Sequence, residues 1–118
     1  MTDAELNIFS ARAIFPEKKV HVGVDEKVWI REYYPFNVNA PGLGGPRTAP
    51  WKPLADGHQA MMLVEELRLT VTPAQSIWVV HLSSEQLFEG PQAVHEDLRR
   101  AIVICAAMVH QKSASTSK

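Results

Sequence analysis

Cysteine is nearly missing from this chain. Cys105 is the single one among 118 residues, which excludes an intramolecular disulfide and leaves any cysteine-based zinc site without its sulfur ligands. Its setting, Ile102-Val-Ile-Cys-Ala-Ala107, reads as a buried thiol in a reducing compartment. An excess of either charge is missing too. With 12 Lys and Arg against 13 Asp and Glu, a net charge of -1 and a pI near 6.5, the chain lacks the basic balance needed to hold nucleic acid through its phosphates. Direct nucleic-acid binding is therefore not expected. No apolar run approaches the roughly 18 residues of a membrane span, and the acidic start differs from the basic start of a signal peptide. The expectation is a cytoplasmic protein with no membrane contact.

What is present suffices for one domain. A chain of 13.2 kDa buries about two-thirds of its unfolded surface on folding, enough for a self-sufficient core. Thr2 and Glu5 have the spacing of a capping box, and Leu6, Phe9 and Ala13 follow at helical intervals until Pro16, predicting a helix over 3–15. From Val20 to Tyr34 the period changes to two, which predicts a hairpin, although its turn lacks Asn-Gly or Asp-Gly chemistry. Asp56 is placed to cap a second helix whose stripe is Ala60, Leu63, Val64 and Leu67, closed by Pro73. Ile77 to Leu82 reads as a central strand. Gly90-Pro91 then marks the start of a last helix, with Leu98, Ala101, Ile102, Cys105 and Val109 on its apolar stripe. The order predicts an α+β fold, a small antiparallel sheet with about three helices packed on it, spanning residues 1–110. Residues 111–118 are too polar to bury anything and read as a disordered tail.

Between these elements lies a stretch unlike the rest. Residues 35–53 hold five of the eight prolines and three of the six glycines, and a loop of that length inside a small domain is commonly functional or disordered. Tyr33, Tyr34, Phe36 and Trp51 flank or close it. They form either an interaction patch, since aromatic rings combine apolar area with polar handles, or anchors that pin the loop to the core. Gly42-Leu-Gly-Gly-Pro-Arg47 lacks the Gly-Lys-Ser/Thr of a phosphate loop and the Gly-x-Gly-x-x-Gly of a dinucleotide site. Arg47, His58 and His81 are the polar groups best placed to serve a pocket beneath the segment. The five histidines show no metal-ligand spacing, and no Gly-x-Ser-x-Gly elbow accompanies Ser83 and Ser84, so neither a metal, a cofactor nor a catalytic residue is assigned.

Two stretches, with a strand and a closing helix, support a resemblance. Glu5-Leu-Asn-Ile-Phe-Ser-Ala-Arg-Ala-Ile-Phe-Pro16 resembles the opening helix Glu-Leu-Asp-x-Leu-Val-Ala-Glu-Lys-Val-Met-Gly of a group of small phage and prophage proteins with an αβα-sandwich domain. Pro53-Leu-Ala-Asp56 before Ala60-Met-Met-Leu-Val-Glu-Glu-Leu67 is similar to the group's proline-rich stretch ending near Tyr-Ser-x-Asp before a helix. Trp78 and Leu98-Arg-Arg-Ala-Ile-Val103 match its Trp-bearing strand and its closing Leu-x-Arg-Ala-Ile-Val helix. Leu54-Ala55 replaces Tyr-Ser, and Ala11-Arg-Ala13 departs from Ala-Glu-Lys, so no side-chain role transfers. The resemblance implies a fold and a mobile-element origin, and no chemistry.

Two functional expectations follow. The first is a non-catalytic accessory module of mobile-element type that contacts an unidentified protein partner through the 35–53 segment. Homodimerisation fits this reading, because Val103, Ile104 and Met108 lie outside the main stripe of the last helix. The second is a small-ligand binder or enzyme with its pocket under the same segment.

Overall fold

The computed structural model describes residues 1–34, 45–83 and 90–116. It contains three helices, α1 (Asp3–Ile14), α2 (Gly57–Leu67) and α3 (Leu98–Thr116), and six strands. The strands form two antiparallel sheets. The first comprises β1 (Val20–Val22), β2 (Val28–Tyr34) and β3 (Gly45–Trp51) in that order, and the second β4 (Leu69–Ala74), β5 (Ile77–Leu82) and β6 (Gln92–His95). The fold is α+β, with the strands divided between two sheets.

Local chemistry explains the helix starts. Thr2 Oγ1 accepts from Glu5 N at 3.2 Å while the Glu5 carboxylate accepts from Thr2 N at 3.1 Å, so the capping box closes as its spacing requires. Asp56 Oδ1 accepts from His58 N and Gln59 N, satisfying two orphan donors of α2. The start of α3 differs from the reading at Gly90-Pro91: the helix begins at Leu98, with Asp97 Oδ1 accepting from Arg100 N at 3.2 Å, and Gln92–His95 extend beside β5 as β6. Asp97 thus supplies the cap that Gly90-Pro91 cannot. At the other end α3 continues to Thr116, so the tail expected to be disordered from Gln111 is helical to that point.

The segment 35–53 also departs from expectation, because 45–51 is a strand rather than loop. β3 pairs with β2 from Val28↔Trp51 to Tyr34↔Gly45. Pro46 and Pro50 are tolerated because β3 is an edge strand and the two share one parity, so both missing donors lie on its outward side. The Pro50 carbonyl confirms that direction by accepting from Gln59 Nε2 at 2.7 Å, while Gln59 Oε1 accepts from Lys52 N at 2.6 Å. One side-chain amide thereby stands where a fourth strand would pair. Residues 35–44 lie outside the described residues.

Packing places the helices between the sheets. α1 lies against β1, β2 and α3, whereas α3 also lies against β5 and β6 and α2 packs beside α3. Helices inside and sheets outside is the inverse of the αβα layering implied by the resemblance. Asp3 with Arg100 and Phe9 with His110 show that α1 and α3 run parallel. α3 is covered on several sides, with Ala101, Ile102, Val103, Cys105, Ala106 and Ala107 all buried. The argument for a homodimer is thereby narrowed: Val103 is fully buried and Ile104 packs on the core, so these two meet this chain's own elements, while Met108 is half-buried. Cys105 is buried, its Sγ 3.6 Å from the Pro91 carbonyl. No helix among the described residues is long and apolar enough to cross a membrane.

Candidate functional site

A cleft of about 470 Å³ opens at the end of the first sheet, where three pieces of chain meet. Ala4 and Asn7 come from α1, Asp25 to Trp29 from the β1–β2 turn and the start of β2, and Pro50 to Lys52 from the end of β3. The volume falls in the range of small-ligand pockets, roughly 300–1,000 Å³. It exists because β3 is a strand: without the pairing of Val28 to Trp51, the two sheet-derived walls would not stand side by side.

The floor is fixed by the core. Val28 and Trp51 alternate toward the helices and are each 3% exposed, whereas Trp29 and Pro50, also cross-strand neighbours, alternate to the outer face. The indole Nε1 of Trp51 donates to Ser10 Oγ at 3.1 Å, and Phe15 meets the ring edge-on with centroids 5.2 Å apart. Ser10 Oγ in turn donates to the Asn7 carbonyl at 3.1 Å. Of the two roles the sequence leaves open, Trp51 therefore takes that of anchor, buried and with its N–H satisfied.

The rim is charged but balanced. Asp25 Oδ1 accepts from Lys27 N at 3.2 Å, the Asp25 carboxylate lies 3.9 Å from Lys27 Nζ, and Glu26 and Lys52 complete two negative and two positive groups. The turn closes through Gly23, whose N–H donates to the Lys27 carbonyl and whose carbonyl accepts from Glu26 N. A Cβ at Gly23 would come within 2.8 Å of Asp25 Oδ1, the end of an exposed side chain that can move aside. Glu26 sits at φ 64°, a left-handed conformation that costs a non-glycine residue about 1–2 kcal/mol.

Asn7 is the exceptional lining residue. Its Oδ1 is buried and has no hydrogen-bond partner, and it is the single such side-chain atom among the described residues. An orphan acceptor of this kind costs on the order of 1–3 kcal/mol, a penalty that buried polar groups in native proteins seldom carry without a reason.

The residues nominated from sequence lie on several elements. Arg47 is on β3 opposite Glu32, in the first sheet. His58 is exposed in the first turn of α2, and His81 is half-buried on β5 in the second sheet, with Nδ1 2.9 Å from the Leu82 carbonyl. Neither His58 nor His81 is among the residues that line the cleft. Tyr33 and Tyr34 end β2 opposite Pro46 and Gly45, and Phe36 lies outside the described residues. A wider depression is lined by Val64, Glu65, Arg68, Leu69 and Ser83. No group of three or more His, Cys, Asp or Glu side chains among the described residues is arranged to hold a metal ion. Sequence reasoning missed Asn7, although a polar residue one position after buried Leu6 and three before buried Ser10 was the available signal. Comparison with protein-family models, with curated proteins and with solved structures found no match.

Proposed function

We propose that the chain is a non-catalytic binding domain that takes a small molecule in the cleft at the end of the first sheet. The observation that carries this reading is the cleft itself, whose lining includes Val28 and Trp51, both held in the core. Concave sites with an apolar lining and few polar groups are where small ligands bind. Its lining includes no Ser, Thr, Cys or His side chain among the described residues. The pocket involves the 35–53 segment through Pro50, Trp51 and Lys52, and neither His58 nor His81 lines it. A mobile-element setting remains the context that the phage-protein resemblance adds to this proposal. The test is a fragment screen by thermal shift and protein-observed NMR, in the wild type and in Ala4→Phe, which fills the cleft from the α1 side. Hits that move Asn7, Lys27 and Trp51 signals and lose their effect in Ala4→Phe support the reading. A screen in which no compound perturbs those signals refutes it.

A second reading, protein contact, draws on a different surface. Alternation along the second sheet turns Ile77, Val79 and Val94 away from the helices, and Ile77 and Val94 are 38% and 49% exposed. An uncovered apolar sheet face suits a protein partner. Lysate capture that is lost in Val94→Lys would favour this reading, and capture unchanged by that variant would count against it.

A further inference from the structure

We infer that the outer face of the first sheet binds a single strand of nucleic acid, with a base stacked on Trp29 and the phosphates held by the cations around it. Strand alternation builds this face. Val28, Ile30 and Trp51 point into the core, each 3% exposed, so Trp29 and Arg31 point outward. The register sets His21 and Pro50 on either side of Trp29, and Thr48 beside Arg31. Lys19 immediately precedes Val20, the partner of Ile30, and so stands next to Arg31. Lys27 and Lys52 flank the Val28–Trp51 pair at the opposite end. Trp29 is half-buried and the others are exposed. None of these positions carries an acid, in a chain that has 13 of them.

The even charge of the whole chain conceals the face. Composition weighs 12 Lys and Arg against 13 Asp and Glu, but a period of two, not composition, decides which charges share a surface. Among the described residues the ion pairs are Lys27 with Asp25 at 3.9 Å and Arg100 with Asp3 at 2.9 Å. Lys19, Arg31 and Lys52 therefore keep their charge for an anionic partner. Asp25 and Glu26 sit in the turn beyond Lys27, outside the rows that surround the indole.

The indole decides which polyanion fits. A duplex keeps its bases paired and stacked on one another, so it offers Trp29 nothing to stack on. An acidic peptide satisfies the lysines but gives the ring no flat partner. A lipid surface requires apolar area to insert, and on this face Trp29 and Pro50 are the apolar positions. A single strand presents a planar base between successive phosphates, and such bases stack on aromatic side chains whatever their sequence. Lys27 and Arg31 stand about 13 Å apart along β2 with Trp29 midway, so the phosphates on either side of a stacked base meet a cation in each direction.

The experiment is fluorescence anisotropy of a labelled oligothymidylate of about 15 nucleotides, within the range of single-strand site sizes, titrated with the full chain. Saturable binding in low salt should weaken roughly twentyfold between about 50 and 200 mM, the slope for about three neutralised phosphates on a single strand. Binding should fall roughly tenfold in Trp29→Ala and by at least as much in Arg31→Glu, an exposed position that carries the test should the tryptophan variant unfold. It should persist in Ala4→Phe, which fills the cleft and leaves the face as it is. Absence of binding in low salt, or binding undiminished in Arg31→Glu, overturns the inference. So does equal affinity for a duplex of the same length, which would leave the indole without a role. Loss in Ala4→Phe would move the strand into the cleft, and binding of phosphatidylserine vesicles without binding of the oligonucleotide would make the face a lipid surface; either result also overturns it. The small-molecule reading of the cleft stands or falls separately, on its own fragment screen.

Discussion

Ser10→Ala probes the anchor on which the cleft is built. In the native chain the Trp51 indole N–H is satisfied by Ser10 Oγ at 3.1 Å, and Ser10 is fully buried. Removing the hydroxyl leaves the indole donor buried and unpaired, at a cost of about 1–3 kcal/mol. The small void left by one oxygen adds little, so about 2 kcal/mol is the working figure, close to a fifth of the stability of a typical domain. For a chain of this length that lowers the melting temperature by roughly 5–10 °C. Trp51→Phe deletes the donor and keeps most of the ring, so in the double variant Ser10→Ala costs much less than in the wild type, with a coupling of about 1 kcal/mol between the two sites. Urea denaturation of the four proteins with a common m-value measures the cycle. A Ser10→Ala variant within about 0.5 kcal/mol of wild type, a shift typical of a surface substitution, would refute the claim that Trp51 is locked in the core.

Other expectations concern separate parts of the fold. Burial, with a smaller contribution from Arg12, pushes the His110 pKa below its ordinary value against the opposing pull of Glu17, and the ring stacks on Phe9 at 5.7 Å. The fold therefore favours neutral His110, so its contribution is intact above the unfolded value near pH 6.5 and is lost as pH falls through the lower folded value. Melting temperatures between pH 7.5 and 5 should fall less steeply in His110→Phe than in wild type, and parallel slopes would contradict this. Arg68 ends α2 in the left-handed region at φ 56°, where glycine is unstrained. Arg68→Gly should stabilise by about 1 kcal/mol in urea titration. Gln59→Leu removes both hydrogen bonds that close the outer edge of β3, and hydrogen exchange at Lys52 N–H should accelerate while the amides of α3 remain protected.

The features legible in sequence are those whose physics is local. Thr2 and Glu5 specify their helix start within four residues, Asp56 does so within three, and the period of two from Val20 to Tyr34 marks both strands of the first hairpin. Ile77–Leu82 reads as a central strand and is one, between β4 and β6. The misread features depend on partners distant in sequence. Prolines 46 and 50 argue for a loop unless it is known that β3 is an edge strand whose outward side is closed by Gln59. Pro73 looks like a terminator but is accommodated in β4, again at the edge of a sheet, opposite Trp78. Gly90-Pro91 has the chemistry of a helix start, whereas the actual cap is Asp97, seven residues beyond Gly90. Val103 and Ile104 look surplus only if α3 packs on a single sheet; with α1 on one side and the second sheet on another, Val103 is buried and Ile104 packs on the core. The cleft was illegible for the same reason, since its walls come from residues 4–7, 25–29 and 50–52, joined only by the β2–β3 pairing.

That pairing is the point on which both the fold and the site depend. In the observed register Trp29 faces Pro50 and Arg31 faces Thr48 as the closely spaced, non-hydrogen-bonded pairs of an antiparallel ladder. A NOESY spectrum of the protein should show strong Hα–Hα cross-peaks for Trp29–Pro50 and Arg31–Thr48. Absence of both cross-peaks, with random-coil shifts across 45–51, would contradict the strand and remove the wall of the cleft with it.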